Sequence, residues 1–406
     1  FTVLFLFWTI TGIARRLVRE QANDNNTQIL VLIAGLVGAL GFAYTDSFWF
    51  NAVEAEVYAM ATCILSILFW LGLRWEADMD KPRGDRWLVL IAFVVGLSFG
   101  VHFMGLLTIP AIGMLYYFKT TEAVTIKGFV LANVLSVTVL LFIFKLLLPS
   151  TLAYFGYAEV FFVNQIGLPF HSGTIAAALS LVAFFVYTLK LTHRKSWVQL
   201  NTGLLCILFI LVGFSSWLML PIRANANTVI NENAPADARA LLAYYNLEQY
   251  PDTHLFYGPM FTDMYAGQDE NTPYIDDKPK YEKDEKTGRY FIVNAWENAR
   301  INSNSKHEGI LPRMWSSGNA TNYMNFYGTV DFDVKPNFRN EEVIVEAVNS
   351  FISDWNEGRA DVDEYHNFLT TYAAYLDIEK PSFFDNLRYM FDFQMGYMYW
   401  RYFMWN

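Results

Sequence analysis

Apolar residues are unevenly placed along the chain. They crowd into the first 222 positions as runs of about 15 to 23 residues, broken by short polar loops, and thin out after Arg223. Such runs have the length a helix needs to cross a hydrocarbon layer of roughly 30 Å. Eight spans are expected: Phe1 to Ala14, Ile29 to Tyr44, Val57 to Trp75, Trp87 to Val101, Phe103 to Phe118, Phe129 to Leu148, Thr174 to Leu191 and Leu200 to Pro221. The fourth and fifth are short and nearly continuous, which fits a tight hairpin or one bent element.

Basic residues orient these spans, because Lys and Arg near span ends resist translocation. Alternate loops carry Arg15, Arg16 and Arg19; Arg74, Lys81, Arg83 and Arg86; Lys119 and Lys127; and Lys190, Arg194 and Lys195. The loops around Asp46, His102 and Tyr154 carry none, apart from Lys145 near a span end. The basic loops are therefore expected on the cytoplasmic side, and everything beyond residue 222 on the other.

The outer region reads as mixed α/β. Helices are expected over Ala236 to Asn246, Glu341 to Trp355 and Asp363 to Tyr375, a short strand over Tyr290 to Val293, and a solvated loop over Lys278 to Arg289. The last stretch, 382–406, is dense in Tyr, Trp and Phe and reads as an interfacial helix leading back to the bilayer. Three regions follow: a helical membrane core over 1–222, an extracytoplasmic domain over 223–381, and the aromatic segment 382–406.

Composition supports this division. The chain of 406 residues is 54% hydrophobic and 17% aromatic, which points away from an ordinary soluble protein. Residues 1–221 carry a net charge of +2 and the remainder −12, so an acidic outer domain argues against nucleic acid as a partner. Cys63 and Cys206 both fall in apolar runs and read as packing residues. The chain opens inside an apolar run, with no initiator Met or signal-peptide pattern, and reads as an internal fragment of a longer protein.

Candidate chemistry starts at Thr45 to Met60, TDSFWFNAVEAEVYAM, on the outer side. Asp46 lies in a Thr-Asp-Ser cap for a helix from about Phe48. On that helix Asn51, Glu54 and Tyr58 form one stripe, with Glu56 on the opposite face. Two carboxylates on opposite faces cannot both meet hydrocarbon, so at least one is expected to look into a polar cavity. His102, in GLSFGVHFMGLL, is either a hydrogen-bonded turn residue or a donor to a phosphate at the membrane surface. Arg223, in LPIRANAN, either snorkels to headgroups or clamps such a phosphate. The Asp331-Phe332-Asp333 and Asp361-Val362-Asp363 triplets match a metal-binding pattern that any acidic domain produces by chance.

Several stretches together resemble the bacterial branch, common in Bacteroidota, of the transmembrane protein O-mannosyltransferase-like family. They are TDSFWFNAVEAEVYAM, GLSFGVHFMGLLTIPAI, IRANANTVINENAPADARALLAYYNLEQY, HLFYGPMF, LPRMWS and NLRYMFDFQMGYMYWRYFMWN, in order through nearly the whole chain. The resemblance implies a GT-C fold and transfer of a sugar, mannose first among candidates, from a polyprenyl-phosphate donor to Ser or Thr hydroxyls of exported proteins at the inner membrane. It implies no nucleotide pocket and leaves divalent-metal dependence open. In this family the acid usually cast as base precedes the point where this chain starts. The base is therefore expected upstream of residue 1, and this fragment alone is expected to be inactive. Asp46, Asn51, Glu54, Glu56 and Tyr58 are expected to contact acceptor or sugar, and His102 and Arg223 the donor phosphate. A transporter and a non-catalytic envelope scaffold are the alternatives; the gathering of ionisable groups at one surface favours a surface reaction over transport.

Overall fold

The computed structural model describes residues 1–18, 24–226, 228–250, 254–269 and 271–404, so Arg19 and Trp405 lie outside the described residues. The chain divides into two compact units: 1–249 together with 284–290, and 250–283 together with 291–406.

The first unit is helical. Its elements are α1 (Thr2–Leu17), α2 (Asn25–Ala43), α3 (Asp46–Val53), α4 (Tyr58–Asp78), α5 (Arg86–Ser98), α6 (Thr108–Thr120), α7 (Ile126–Leu141), α8 (Leu148–Val160), α9 (Ser172–Arg194), α10 (Val198–Phe214), α11 (Met219–Ala224) and α12 (Ala238–Tyr245).

Among the described residues five helices are long and apolar enough to cross a membrane: Asn25–Ala43, Tyr58–Asp78, Ile126–Gln165, Ser172–Arg194 and Val198–Ala224. The chain is a multi-pass membrane protein, but the expectation of eight spans is corrected to five. The other three runs are helical and too short. Helix α1 has 16 residues, and α5 and α6 have 13 each. Thirteen residues rise only about 20 Å. Between α5 and α6 the chain extends at His102 and passes through a 3-10 turn, Phe103–Leu107, which divides what would otherwise be one long helix.

The sixth run differs the other way. Helix continues for 40 residues over Ile126–Gln165, about 60 Å, so the expected outer loop around Tyr154 is helical. Two π-helical stretches, Phe142–Leu147 and Phe161–Gln165, interrupt the α geometry. The first ends just before Pro149, whose ring and missing N–H disturb the preceding turn.

The core of this unit gathers Leu68, Leu71, Phe99, Leu148, Phe214, Trp217 and Tyr245. Two polar tips are tied within it: Trp217 Nε1 donates to the Phe99 carbonyl at 2.6 Å, and Tyr245 Oη to the Phe144 carbonyl at 2.6 Å. Helices α5 and α10 cross closely at Gly213, where a Cβ would stand 2.3 Å from the Phe93 carbonyl oxygen. At the end carrying the basic loops, buried Asp78 accepts from Lys81 Nζ and Trp87 Nε1, both at 2.8 Å.

The second unit packs around Phe261, Met314, Tyr365, Leu369 and Leu376. It holds α13 (Asp263–Ala266), α14 (Ala320–Tyr327), α15 (Glu342–Asn356), α16 (Val362–Tyr372), α17 (Phe383–Arg388) and α18 (Trp400–Phe403). The strands of the chain are β1 (Tyr257–Pro259), β2 (Tyr274–Ile275), β3 (Tyr281–Asp284), β4 (Arg289–Ile292), β5 (Arg300–Ile301), β6 (Glu308–Ile310), β7 (Phe332–Val334) and β8 (Leu376–Ile378), with Asp284, Arg289 and Tyr290 of β3 and β4 counted in the first unit. Among the described residues they pair in twos, β1 with β6, β2 with β5, β3 with β4 and β7 with β8.

The expected loop over Lys278 to Arg289 therefore contains a strand. The Asp284 carboxylate accepts from Lys286 N at 3.0 Å and Gly288 takes φ 68°, closing a tight turn that brings β3 onto β4. Asp361 caps α16 and Asp333 pairs with Arg339 at 2.7 Å, which accounts structurally for an acid in each chance triplet. The aromatic segment is helical through α17, a π stretch Tyr389–Tyr399, and α18. Tyr389 is buried against Tyr323, whereas Phe391, Tyr399, Trp400 and Phe403 are exposed.

Candidate functional site

The acidic stretch is arranged differently from expectation. Thr45 is the cap: its Oγ1 accepts from Phe48 N at 3.4 Å, and Asp46 is the first, exposed residue of α3. Helix α3 stops at Val53 and α4 starts only at Tyr58, with Glu54 extended at φ −77°, ψ 147°. The continuous stripe through Asn51, Glu54 and Tyr58 is thus corrected to a helix, an exposed link and a second helix. Glu54 closes α3 as its C-cap, its N–H donating to the Phe50 carbonyl at 3.1 Å.

Both glutamates are exposed, and neither has an ion-pair partner among the described residues. Asn51 Nδ2 is turned onto the Ser47 carbonyl at 2.8 Å. Tyr58 and His102, 44 positions apart, meet with ring centroids 5.7 Å apart. His102 Nδ1 accepts from Met104 N at 3.1 Å, which leaves Nε2 to carry the proton of the neutral ring as a donor. Arg223 is exposed in the last turn of α11 and has no ion-pair partner among the described residues. Tyr58 and His102 are thus brought together, and Glu54 and Glu56 stand on the link leading into Tyr58.

A cavity of about 340 Å³ lies elsewhere in the same unit. Its walls come from α8, the start of α9, the end of α10 and the turn after it, α11 and α12, and include Leu152, Phe155, Phe214, Trp217 and Leu241. Its polar edge holds Glu159, His171, Thr174, Asp237, Arg239 and Tyr290. Pro221 lines it two positions before Arg223.

Glu159 organises that edge. It is 4% exposed and accepts from His171 N at 2.6 Å, Thr174 N at 2.8 Å, Thr174 Oγ1 at 2.9 Å and Tyr290 Oη at 3.3 Å. Two of these donors are backbone groups at the start of α9, whose dipole and open N–H groups favour a carboxylate. Gly173 permits the approach, since a Cβ there would stand 2.3 Å from the Ala158 carbonyl oxygen. Burial, and then the Glu159 carboxylate, push the Tyr290 phenol up from its usual range, so it stays a donor. Asp237 caps α12 by accepting from Arg239 N at 2.9 Å and Ala240 N at 3.0 Å, and the Arg239 guanidinium lies 5.5 Å from the Tyr157 ring centre. With four donors on two oxygens, Glu159 is suited to clamping rather than to taking a proton.

Sequence reading missed Glu159. The signal was present: it is a single carboxylate inside a long apolar run, and such groups are costly unless paired. Among the described residues no group of three or more His, Cys, Asp or Glu is placed to hold a metal ion.

Comparison with known proteins gives two family matches. Residues 251–391 match a family of unknown function, DUF8416. No curated protein and no solved structure matches the chain. Residues 1–125, which include Asp46 through His102 but neither Arg223 nor the cavity, match the N-terminal domain of protein O-mannosyl-transferase TMEM260, and over that part the chain is similar to a glycosyltransferase.

Proposed function

We propose that the protein is a GT-C-type glycosyltransferase of the inner membrane. It moves a sugar, mannose first among candidates, from a polyprenyl-phosphate carrier to Ser or Thr hydroxyls of exported proteins on the periplasmic side. The observation that carries this reading is the match of residues 1–125 to an O-mannosyl-transferase domain in a multi-pass membrane chain. The bacterial branch of that family is part of the proposal.

In this reading Glu54 and Glu56 accept hydrogen bonds from sugar or acceptor hydroxyls, a role suited to exposed carboxylates with no ion-pair partner among the described residues. Asp46, Asn51 and Tyr58 flank them. His102 donates through Nε2, and Arg223 supplies charge, to the donor phosphate. Stabilising the leaving phosphate lowers the barrier to transfer, because negative charge develops there as the glycosidic bond breaks.

Mass spectrometry of exported proteins from a strain lacking the gene tests the reading. Loss of O-linked hexose, restored by the wild-type gene, is expected. Unchanged glycans would overturn it.

A further inference from the structure

The cavity at Glu159 offers a ligand very little hydrogen bonding. Both Glu159 oxygens are occupied by protein donors, Asp237 Oδ1 by two N–H groups, and Trp217 Nε1 by the Phe99 carbonyl. A sugar or peptide placed inside would lose its bonds to water without replacement. The walls instead present hydrocarbon, and 340 Å³ falls at the lower end of small-molecule sites. An apolar hollow of this kind does not hold water well.

Its mouth faces apolar surroundings. Leu218 lines the cavity and is 57% exposed, which places it at the rim. Next in sequence to the lining residues Leu181, Leu211 and Leu218, the side chains of Val182, Val212 and Met219 are exposed, all within helices apolar enough to cross a membrane. The innermost walls, Leu152, Phe214 and Leu241, are buried. An apolar rim on helices of this kind favours entry of a hydrocarbon over a polar solute.

We propose that this cavity is a binding site for the hydrocarbon chain of a bilayer lipid. The chain enters past Leu218 and lies against Leu152, Phe155 and Phe214, while the head group remains outside at the edge formed by Asp237 and Arg239. Two sources supply such a chain: an ordinary phospholipid, or the isoprenoid of a polyprenyl phosphate. The site does not depend on sugar transfer, so its failure would leave the proposed function standing.

The test places the full chain in phosphatidylethanolamine nanodiscs with a phosphatidylethanolamine bearing a diazirine near the end of one acyl chain. After irradiation, peptide mapping is expected to find label on segments carrying Leu152, Phe155 or Phe214. Ser215→Trp, which fills the hollow from its exposed rim, and Leu218→Gln, which makes the mouth polar, should each reduce that label about five-fold with unchanged helicity. Leu218→Gln alone decides if Ser215→Trp does not fold. Label confined to other segments, or undiminished in the folded variants, would overturn the site. Competition with unlabelled polyprenyl phosphate or phosphatidylglycerol separates the sources: preferential loss of label with the first assigns the isoprenoid, and equal loss a bilayer phospholipid.

Discussion

Asn164 holds the backbone of Tyr290 at both ends of its amide. Its Nδ2 donates to the Tyr290 carbonyl at 2.8 Å and its Oδ1 accepts from the Tyr290 N–H at 2.9 Å, the pairing one strand offers another. The Tyr290 ring packs edge-on against Phe170 at 5.2 Å while its hydroxyl reaches Glu159. Segment 284–290 is thus fastened to the C-terminal end of the long Ile126–Gln165 helix through backbone, ring and hydroxyl together.

Removing that fastening has a graded cost. Asn164→Ala leaves a partly buried N–H and C=O without their partner and should destabilise the protein by about 1–3 kcal/mol. Tyr290→Phe removes one hydroxyl bond and should cost about 0.5–1.5 kcal/mol. Thermal unfolding in detergent would rank the two, and equal melting temperatures for wild type and Asn164→Ala would refute the role given to the amide.

Glu159→Gln probes the clamp on α9. An amide keeps one oxygen but turns its NH₂ toward one of the two backbone donors, His171 N or Thr174 N, so about 2–3 kcal/mol should be lost. Thr174→Val removes only the hydroxyl contact and should be milder. Full stability with abolished activity in Glu159→Gln would argue for a chemical role instead.

Much of this architecture was legible in the sequence, and the failures have physical reasons. Each of the eight apolar runs contains a helix, and the helices over Glu342–Asn356 and Ala238–Tyr245 were equally clear. Span number was not, because three of the runs fold into helices of only 16, 13 and 13 residues, and an apolar run does not show where its helix stops. The Glu159 clamp was hidden for another reason: its partners lie 12, 15 and 131 positions away, and no local period records them. The pairing of Tyr58 with His102 likewise depends on a turn between α5 and α6 that composition does not announce.

The exposed link between α3 and α4 gives the most direct test of the transferase. Glu54→Gln and Glu56→Gln alter groups without ion-pair partners among the described residues, so stability should move by no more than about 0.5 kcal/mol. Sugar transfer by the full-length protein should fall at least about ten-fold in each, the loss of one charge-assisted contact. Arg223→Ala should raise the donor concentration needed for half-maximal rate at fixed acceptor. Wild-type turnover in both glutamine variants would remove the site from this link, and an unchanged donor dependence would leave Arg223 a headgroup contact.

His307 makes the second unit sensitive to acid. It is 5% exposed, its Nδ1 lies 2.9 Å from Thr262 Oγ1, and burial, reinforced by the positive charge of Lys380, lowers its pKa to about 4. The unfolded chain, titrating near 6.5, therefore binds a proton more readily than the folded one between these values. Its contribution to stability is complete above about pH 6.5 and disappears as pH falls through about 4, a total of up to about 3 kcal/mol. His307→Gln, which keeps a polar group beside Thr262 but cannot titrate, should unfold with a flatter pH dependence across that window. Melting curves of both proteins between pH 7.5 and 4.5 would decide, and parallel profiles would mean that other groups carry the acid response.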